Sequence, residues 1–127
     1  MHPRRTALLS FVLDVVLVVA FAATGRASHD EAVLPGLLVT AWPFLVGLVA
    51  GWAVTLAWRA PMRPLRTGLG VWAVTVAGGM LLRAVSGQGV VLAFVIVAAV
   101  VLLIALVGWR GIAALIRSLR RRRATTA

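Results

Sequence analysis

The chain has 127 residues, 62% of them hydrophobic and only 13% charged, with a net charge of +10. Soluble domains are about 45–50% apolar, so this one has too little polar material to cover a water-exposed surface. The thirteen basic residues, all arginine, flank apolar runs without a zinc-finger or basic-helix context, which argues against nucleic acid; the lack of cysteine excludes disulfides, thiolate metal sites and cysteine nucleophiles.

A bilayer-crossing helix needs about 20 mostly apolar residues, and helices satisfy their own backbone in lipid. Four runs qualify, which predicts an all-α, integral membrane four-helix bundle filling residues 1–127 as one domain with short loops. The first run covers about residues 6–24 and holds Asp14 near its middle. A central acidic residue costs about 3 kcal/mol on insertion scales. The eleven Leu, Val and Phe residues from Leu8 to Phe21 contribute about −3 to −6 kcal/mol in return. The helix therefore inserts with little margin. It is too long for the core of a cleaved signal peptide, which spans about 7–15 residues. In the following loop, Ser28 and Glu31 have capping-box spacing. His29, Asp30 and Glu31 lack an established metal-ligand spacing, so no metal is assigned.

The second run covers about residues 34–58. Pro35 suits its first turn, and Pro43 removes a backbone hydrogen bond and should kink it. Gly47 and Gly51 form a small-residue stripe of the kind that lets helices approach closely. Arg59, Arg63 and Arg66 follow, with Pro61 and Pro64 breaking the chain before the third run at about residues 67–85. There Ala73 with Ala77, and Thr75 with Gly79, offer packing stripes, within the monomer or in a homo-oligomer. Trp52-Ala53-Val54-Thr55 recurs as Trp72-Ala73-Val74-Thr75, a repeat that a chain rich in Ala and Val also produces by chance. Ser86 to Gly89 make a tight turn into the fourth run, about residues 90–109. Residues 110–127 form a basic juxtamembrane helix, with Ile112, Leu115, Ile116 and Leu119 at helical spacing. Its Arg117, Arg120, Arg121, Arg122 and Arg123 are expected to face anionic lipid.

Eleven of the thirteen arginines fall on one side of this topology, leaving Arg26 and Arg83 for the other. The positive-inside rule then places both termini in the cytoplasm, with Trp58 and Trp109 at the inner interface. Ionisable groups inside spans are functional candidates by default. Asp14 leads, with Arg26, His29 and Arg83 as further members of a candidate polar site. Counted from the outer ends, Arg83 and Asp14 differ in depth by roughly 12 Å, so Arg83 is expected to reach outward. The competing reading of Asp14 is an interhelical hydrogen-bond anchor. No GxSxG, Walker, HExxH or dinucleotide motif is present. No catalytic residue or cofactor is therefore assigned, and a membrane enzyme ranks last.

Asp14, then Phe21 with Gly25-Arg26, then Ser28-His29 resembles the first-helix signature of the family called domain of unknown function 3054. Trp42-Pro43-Phe44, Arg83 and Gly108-Trp109-Arg110 are similar to later parts of that pattern. The resemblance covers nearly the whole chain and implies a small prokaryotic membrane protein, without implying a substrate or reaction. The combined expectation is a multi-pass protein of the bacterial inner membrane. It binds or passes a small solute or ion near Asp14, or serves as a non-catalytic assembly subunit.

Overall fold

The computed structural model describes residues 2–28 and 32–126. Four helices make up the molecule: α1 (Pro3–Ser28), α2 (Val33–Thr55), α3 (Leu69–Val85) and α4 (Leu92–Thr126). Together with the turn that precedes α3, all four are long and apolar enough to cross a membrane. The outward faces are as apolar as the interior: Leu8, Val16, Leu38, Val54, Leu81 and Ile104 are all exposed. A soluble protein rarely leaves apolar patches of this extent uncovered.

The helices alternate in direction. Phe21 of α1 meets Phe44 of α2 and Phe94 of α4, whereas the earlier Asp14 meets the later Trp52 and Arg110. Both termini therefore share one end with the α2–α3 connection, called here the terminal end. The α3–α4 turn lies at the other, the hairpin end. Each helix packs on two neighbours, α1 and α3 both lying against α2 and α4. The core between them holds Val18, Phe21, Phe44, Leu48, Val71, Ala98, Leu102 and Leu106.

The α2–α3 pair is the closest, because glycine replaces side chains where the backbones meet. A Cβ at Gly47 would stand 2.8 Å from the Thr75 carbonyl oxygen, and one at Gly51 would stand 3.1 Å from that of Val71. The α3 side of this contact is Val71, Thr75 and Gly79, all buried. Ala73 and Ala77, expected to pack, lie exposed on another face. A second tie crosses from α3 to α4, where the Trp72 indole donates to the Ala99 carbonyl at 2.8 Å.

Several boundaries differ from the expected ones. Helix α2 stops at Thr55 instead of Trp58, because Leu56 adopts a left-handed backbone (φ 53°). A 3-10 turn, Ala57–Arg59, and a π-helical turn, Pro64–Gly68, then lead into α3. Helix α4 neither ends nor bends at residue 109; it runs unbroken for 35 residues, about 52 Å at helical rise. At the hairpin end, Gly87 and Gly89 both have φ near +84° (83° and 84°), a conformation open to glycine at little cost. The capping pair Ser28 and Glu31 falls partly outside the described residues.

Helix α2 also runs on through Pro43. Proline cannot donate to the carbonyl four residues earlier, which here is Val39. The Gln88 side chain supplies the missing donor from the hairpin, Nε2 to the Val39 oxygen at 3.0 Å.

Candidate functional site

Two separate polar sites occupy the bundle. At the terminal end, Asp14 is fully buried in α1 and meets Arg110, also fully buried, from α4. Arg110 Nη1 donates to Asp14 Oδ1 at 2.9 Å and Nη2 donates to Oδ2 at 2.7 Å. Each carboxylate oxygen accepts a second bond, Oδ1 from the Trp109 indole at 2.8 Å and Oδ2 from the Trp52 indole at 2.9 Å. Arg110 places two further donors on backbone: Nε on the Pro61 carbonyl at 2.7 Å and Nη1 on that of Leu106 at 2.8 Å. Its guanidinium also stacks over Trp109, 4.6 Å from the ring centroid.

Local sequence explains how a guanidinium reaches this depth. Gly68, in the π-helical turn, has no side chain where α4 passes: a Cβ there would stand 3.3 Å from both Arg110 Cδ and Val107 Cγ2. Phe11 stacks edge-on against Trp52, with centroids 5.2 Å apart, and fixes the indole that points at Asp14. The cluster thereby joins α1, α2, the α2–α3 connection and α4. Desolvating two charges costs several kcal/mol each, and only good geometry with further hydrogen bonds offsets it. A bidentate ion pair with four bonds on the carboxylate meets that condition.

The arrangement revises two expectations. Arg110, expected to open the basic juxtamembrane segment 110–127, belongs to the bundle interior, where it pairs with Asp14. Trp109 donates to that same carboxylate and is more than an interface residue. Asp14 lies mid-way along α1, but by its partners it stands level with the last turn of α2. Thr75 is buried on α3 with its hydroxyl unpartnered among the described residues.

At the hairpin end, a cavity of about 650 Å³ lies among Arg26, Arg83, Thr40, Gln88, Phe21 and Phe94, among others. Arg26 Nη1 donates to Thr40 Oγ1 at 3.0 Å and Nε to the Ala32 carbonyl at 2.7 Å. Its guanidinium rests on Gly36, where any side chain would collide with it. Arg83 Nη1 donates to Gln88 Oε1 at 3.1 Å and Nε to the Gly89 carbonyl at 3.2 Å, while the guanidinium sits 4.4 Å over Phe94. Phe21 and Phe94 line the floor and pack with Phe44 behind them, with centroids 5.4–6.2 Å apart.

Of the four residues expected to form one polar site, Arg26 and Arg83 therefore share a cavity. Asp14 lies elsewhere, twelve residues before Arg26 on α1, or about 18 Å along the helix. Between the two sites stand Val18, Leu48, Leu102 and the three phenylalanines, all but Phe94 buried. His29 falls outside the described residues. Among the described residues, no group of three or more His, Asp or Glu side chains comes together. Arg117, Arg120, Arg121, Arg122 and Arg123 are exposed along the last turns of α4.

Sequence reasoning missed Arg110, Trp52, Trp109, Thr40 and Gln88. A lone arginine seven residues ahead of the next basic residue, with a carboxylate lacking a partner elsewhere, was the available signal for the first.

No curated protein and no solved structure matches the chain. A family model does match, over residues 11–113, a range that includes Asp14, Arg26, Arg83 and Arg110. By that match the chain belongs to the family described as Protein of unknown function (DUF3054).

Proposed function

We propose that this chain is a multi-pass membrane protein whose hairpin-end cavity holds a small solute with an acceptor-rich, anionic head and an apolar body. One observation carries this reading: Arg26, Thr40, Arg83 and Gln88, from three helices and the hairpin, converge on one space above a phenylalanine floor. Its volume of about 650 Å³ falls within the roughly 300–1,000 Å³ of small-molecule sites. Each guanidinium has five N–H donors in a planar fork, so ligand oxygens can share them with the protein's own acceptors. Phe21, Phe94 and Val97 supply the apolar wall.

Binding is favoured over passage. The apolar layer separates the cavity from Asp14, and Asp14 is held by four donors instead of lining a path. A thermal-shift screen of small carboxylates and phosphoryl compounds on detergent-solubilised protein tests the reading. A ligand at about 100 times its Kd should stabilise the native state by about 2.7 kcal/mol. The shift should vanish in Arg83→Gln and Thr40→Val. Ligands that stabilise those variants equally, or solute flux into proteoliposomes, would refute it.

We place the terminal end in the cytoplasm and the protein in the bacterial inner membrane. Ten exposed arginines lie at the terminal end, against Arg26 and Arg83 at the other. The chain has no cysteine, so Ser86→Cys and Thr125→Cys give unique labels for an impermeant maleimide. Labelling of Thr125→Cys in intact cells would reverse the orientation.

One observation favours an assembly role instead. Helix α4 continues for 17 residues past Trp109, about 25 Å, with Ile112, Leu115, Ile116 and Leu119 exposed. Crosslinking in native membranes should then recover a stoichiometric partner; a clean monomer in mild detergent excludes one.

A further inference from the structure

A second depression, of about 290 Å³, lies at the terminal end, and arginine dominates its lining: Arg59, Arg63 and Arg66 from the α2–α3 connection, and Arg117 from α4. We propose that this basin binds a phosphoryl group, and specifically the headgroup of an anionic phospholipid in the leaflet on the terminal side.

The frame that presents these arginines is rigid. Arg110 Nε binds the Pro61 carbonyl and so clamps the connection onto α4, two helical turns before Arg117. Within the connection, Arg59 N donates to the Leu56 carbonyl and Arg63 N to that of Ala60, while the Arg63 carbonyl accepts from both Thr67 N and Gly68 N. The Thr67 hydroxyl ties back to the Ala60 carbonyl. The two segments bearing the basin's charges are thus held in fixed register.

Among the described residues, nothing acidic answers those charges. The chain has three acidic residues. Asp14 is committed to Arg110. Asp30 and Glu31 lie in sequence between the ends of α1 and α2 farthest from the basin. Among the described residues, the four arginine side chains form no hydrogen bond or ion pair. Four guanidiniums around one small space repel one another, and an oxyanion relieves that repulsion while accepting paired N–H bonds.

The depth of the basin selects a lipid over a free phosphate. The third apolar span begins at Pro64, inside this cluster, which sets the basin where hydrocarbon gives way to headgroups. Beside it, Trp58 and Leu65 are 49% and 73% exposed and offer a surface for acyl chains.

Native mass spectrometry of the full chain in neutral detergent, titrated with phosphatidylglycerol or phosphatidylcholine, tests this assignment. Phosphatidylglycerol should form a one-to-one complex and phosphatidylcholine should not. Arg117→Gln, on an exposed turn beyond the bundle where folding is not at stake, should weaken the complex about fivefold, the equivalent of about 1 kcal/mol per basic residue. The quadruple Arg59→Gln/Arg63→Gln/Arg66→Gln/Arg117→Gln should weaken it at least about a hundredfold on the same scale. Arg120→Gln/Arg121→Gln, which removes charge outside the basin, should leave it within about twofold, since discrete binding depends on geometry as well as charge. Equal losses in the basin and tail variants would overturn the site. Inorganic phosphate displacing the lipid at equal affinity would overturn the lipid assignment.

Discussion

Replacing Asp14 by asparagine keeps the size of the side chain and removes its charge. In the native protein its two oxygens accept four N–H donors, from Arg110, Trp52 and Trp109. An amide offers one oxygen, and its NH₂ would confront either Arg110 Nη1 and Trp109 or Arg110 Nη2 and Trp52. The larger effect is on Arg110, which is left fully buried with its charge uncompensated, a loss of about 3–5 kcal/mol. Whole domains are stable by about 5–15 kcal/mol, so the variant should lie near the edge of folding. Arg110→Met should cost a similar amount by stranding the carboxylate. The double variant Asp14→Leu/Arg110→Met removes both charges and strands only two indoles and the Pro61 carbonyl. It should cost clearly less than the two single changes added together, with a coupling of at least about 2 kcal/mol. Unfolding in mixed micelles, followed by tryptophan fluorescence, suits the question because two of the five tryptophans touch Asp14. A cost below about 1 kcal/mol for Asp14→Asn, or additivity within about 0.5 kcal/mol, would refute the view that this pair organises the terminal end.

Gly47→Ala should cost about 1–3 kcal/mol, because the new methyl meets the backbone oxygen of Thr75 and the helices must separate. Gly108→Ala, with no atom within 4 Å of the added carbon, should be neutral or mildly stabilising in the same thermal melt. Gln88→Leu should cost about 1–2 kcal/mol by leaving the Val39 carbonyl without its donor. Adding Pro43→Ala to that variant returns an N–H to the same carbonyl, so the double variant should recover stability, with amide exchange around Val39 reporting the repair.

Much of the architecture was legible in the sequence, because hydropathy and chain length leave few choices for a run of twenty apolar residues. The four spans, the Gly47 and Gly51 face and the Ser86–Gly89 turn all follow from local pattern. Rotation of α3 about its axis was not legible. Its small residues form more than one stripe at helical spacing, and only the shape of α2 selects Val71, Thr75 and Gly79 over Ala73 and Ala77. The end of α2 depends on a left-handed leucine, Leu56, which no propensity favours. The partner of Asp14 was hidden for a different reason. Arg110 stands ahead of a run of basic residues and reads as the start of a topology signal. Its true environment is set by the Asp14 carboxylate of α1 and the Pro61 carbonyl of the α2–α3 connection, both distant in the chain. At the hairpin end, Arg26 and Arg83 were visible as unusual residues, but only the fold brings Thr40 and Gln88 to the same cavity.

The Asp14–Arg110 pair also sets the order in which the protein can be completed. Its members are 96 residues apart, so almost the whole chain separates the acid from its cation. At synthesis rates of about 5–20 residues per second, the first helix waits about 5–20 s for its partner. During that interval the carboxylate sits in the helix with the thinnest margin for insertion, accompanied at most by the Trp52 indole. Arrival of the fourth helix is therefore the step that commits the first one. A chain released before residue 110 lacks the cation that pairs with this buried acid in the finished bundle.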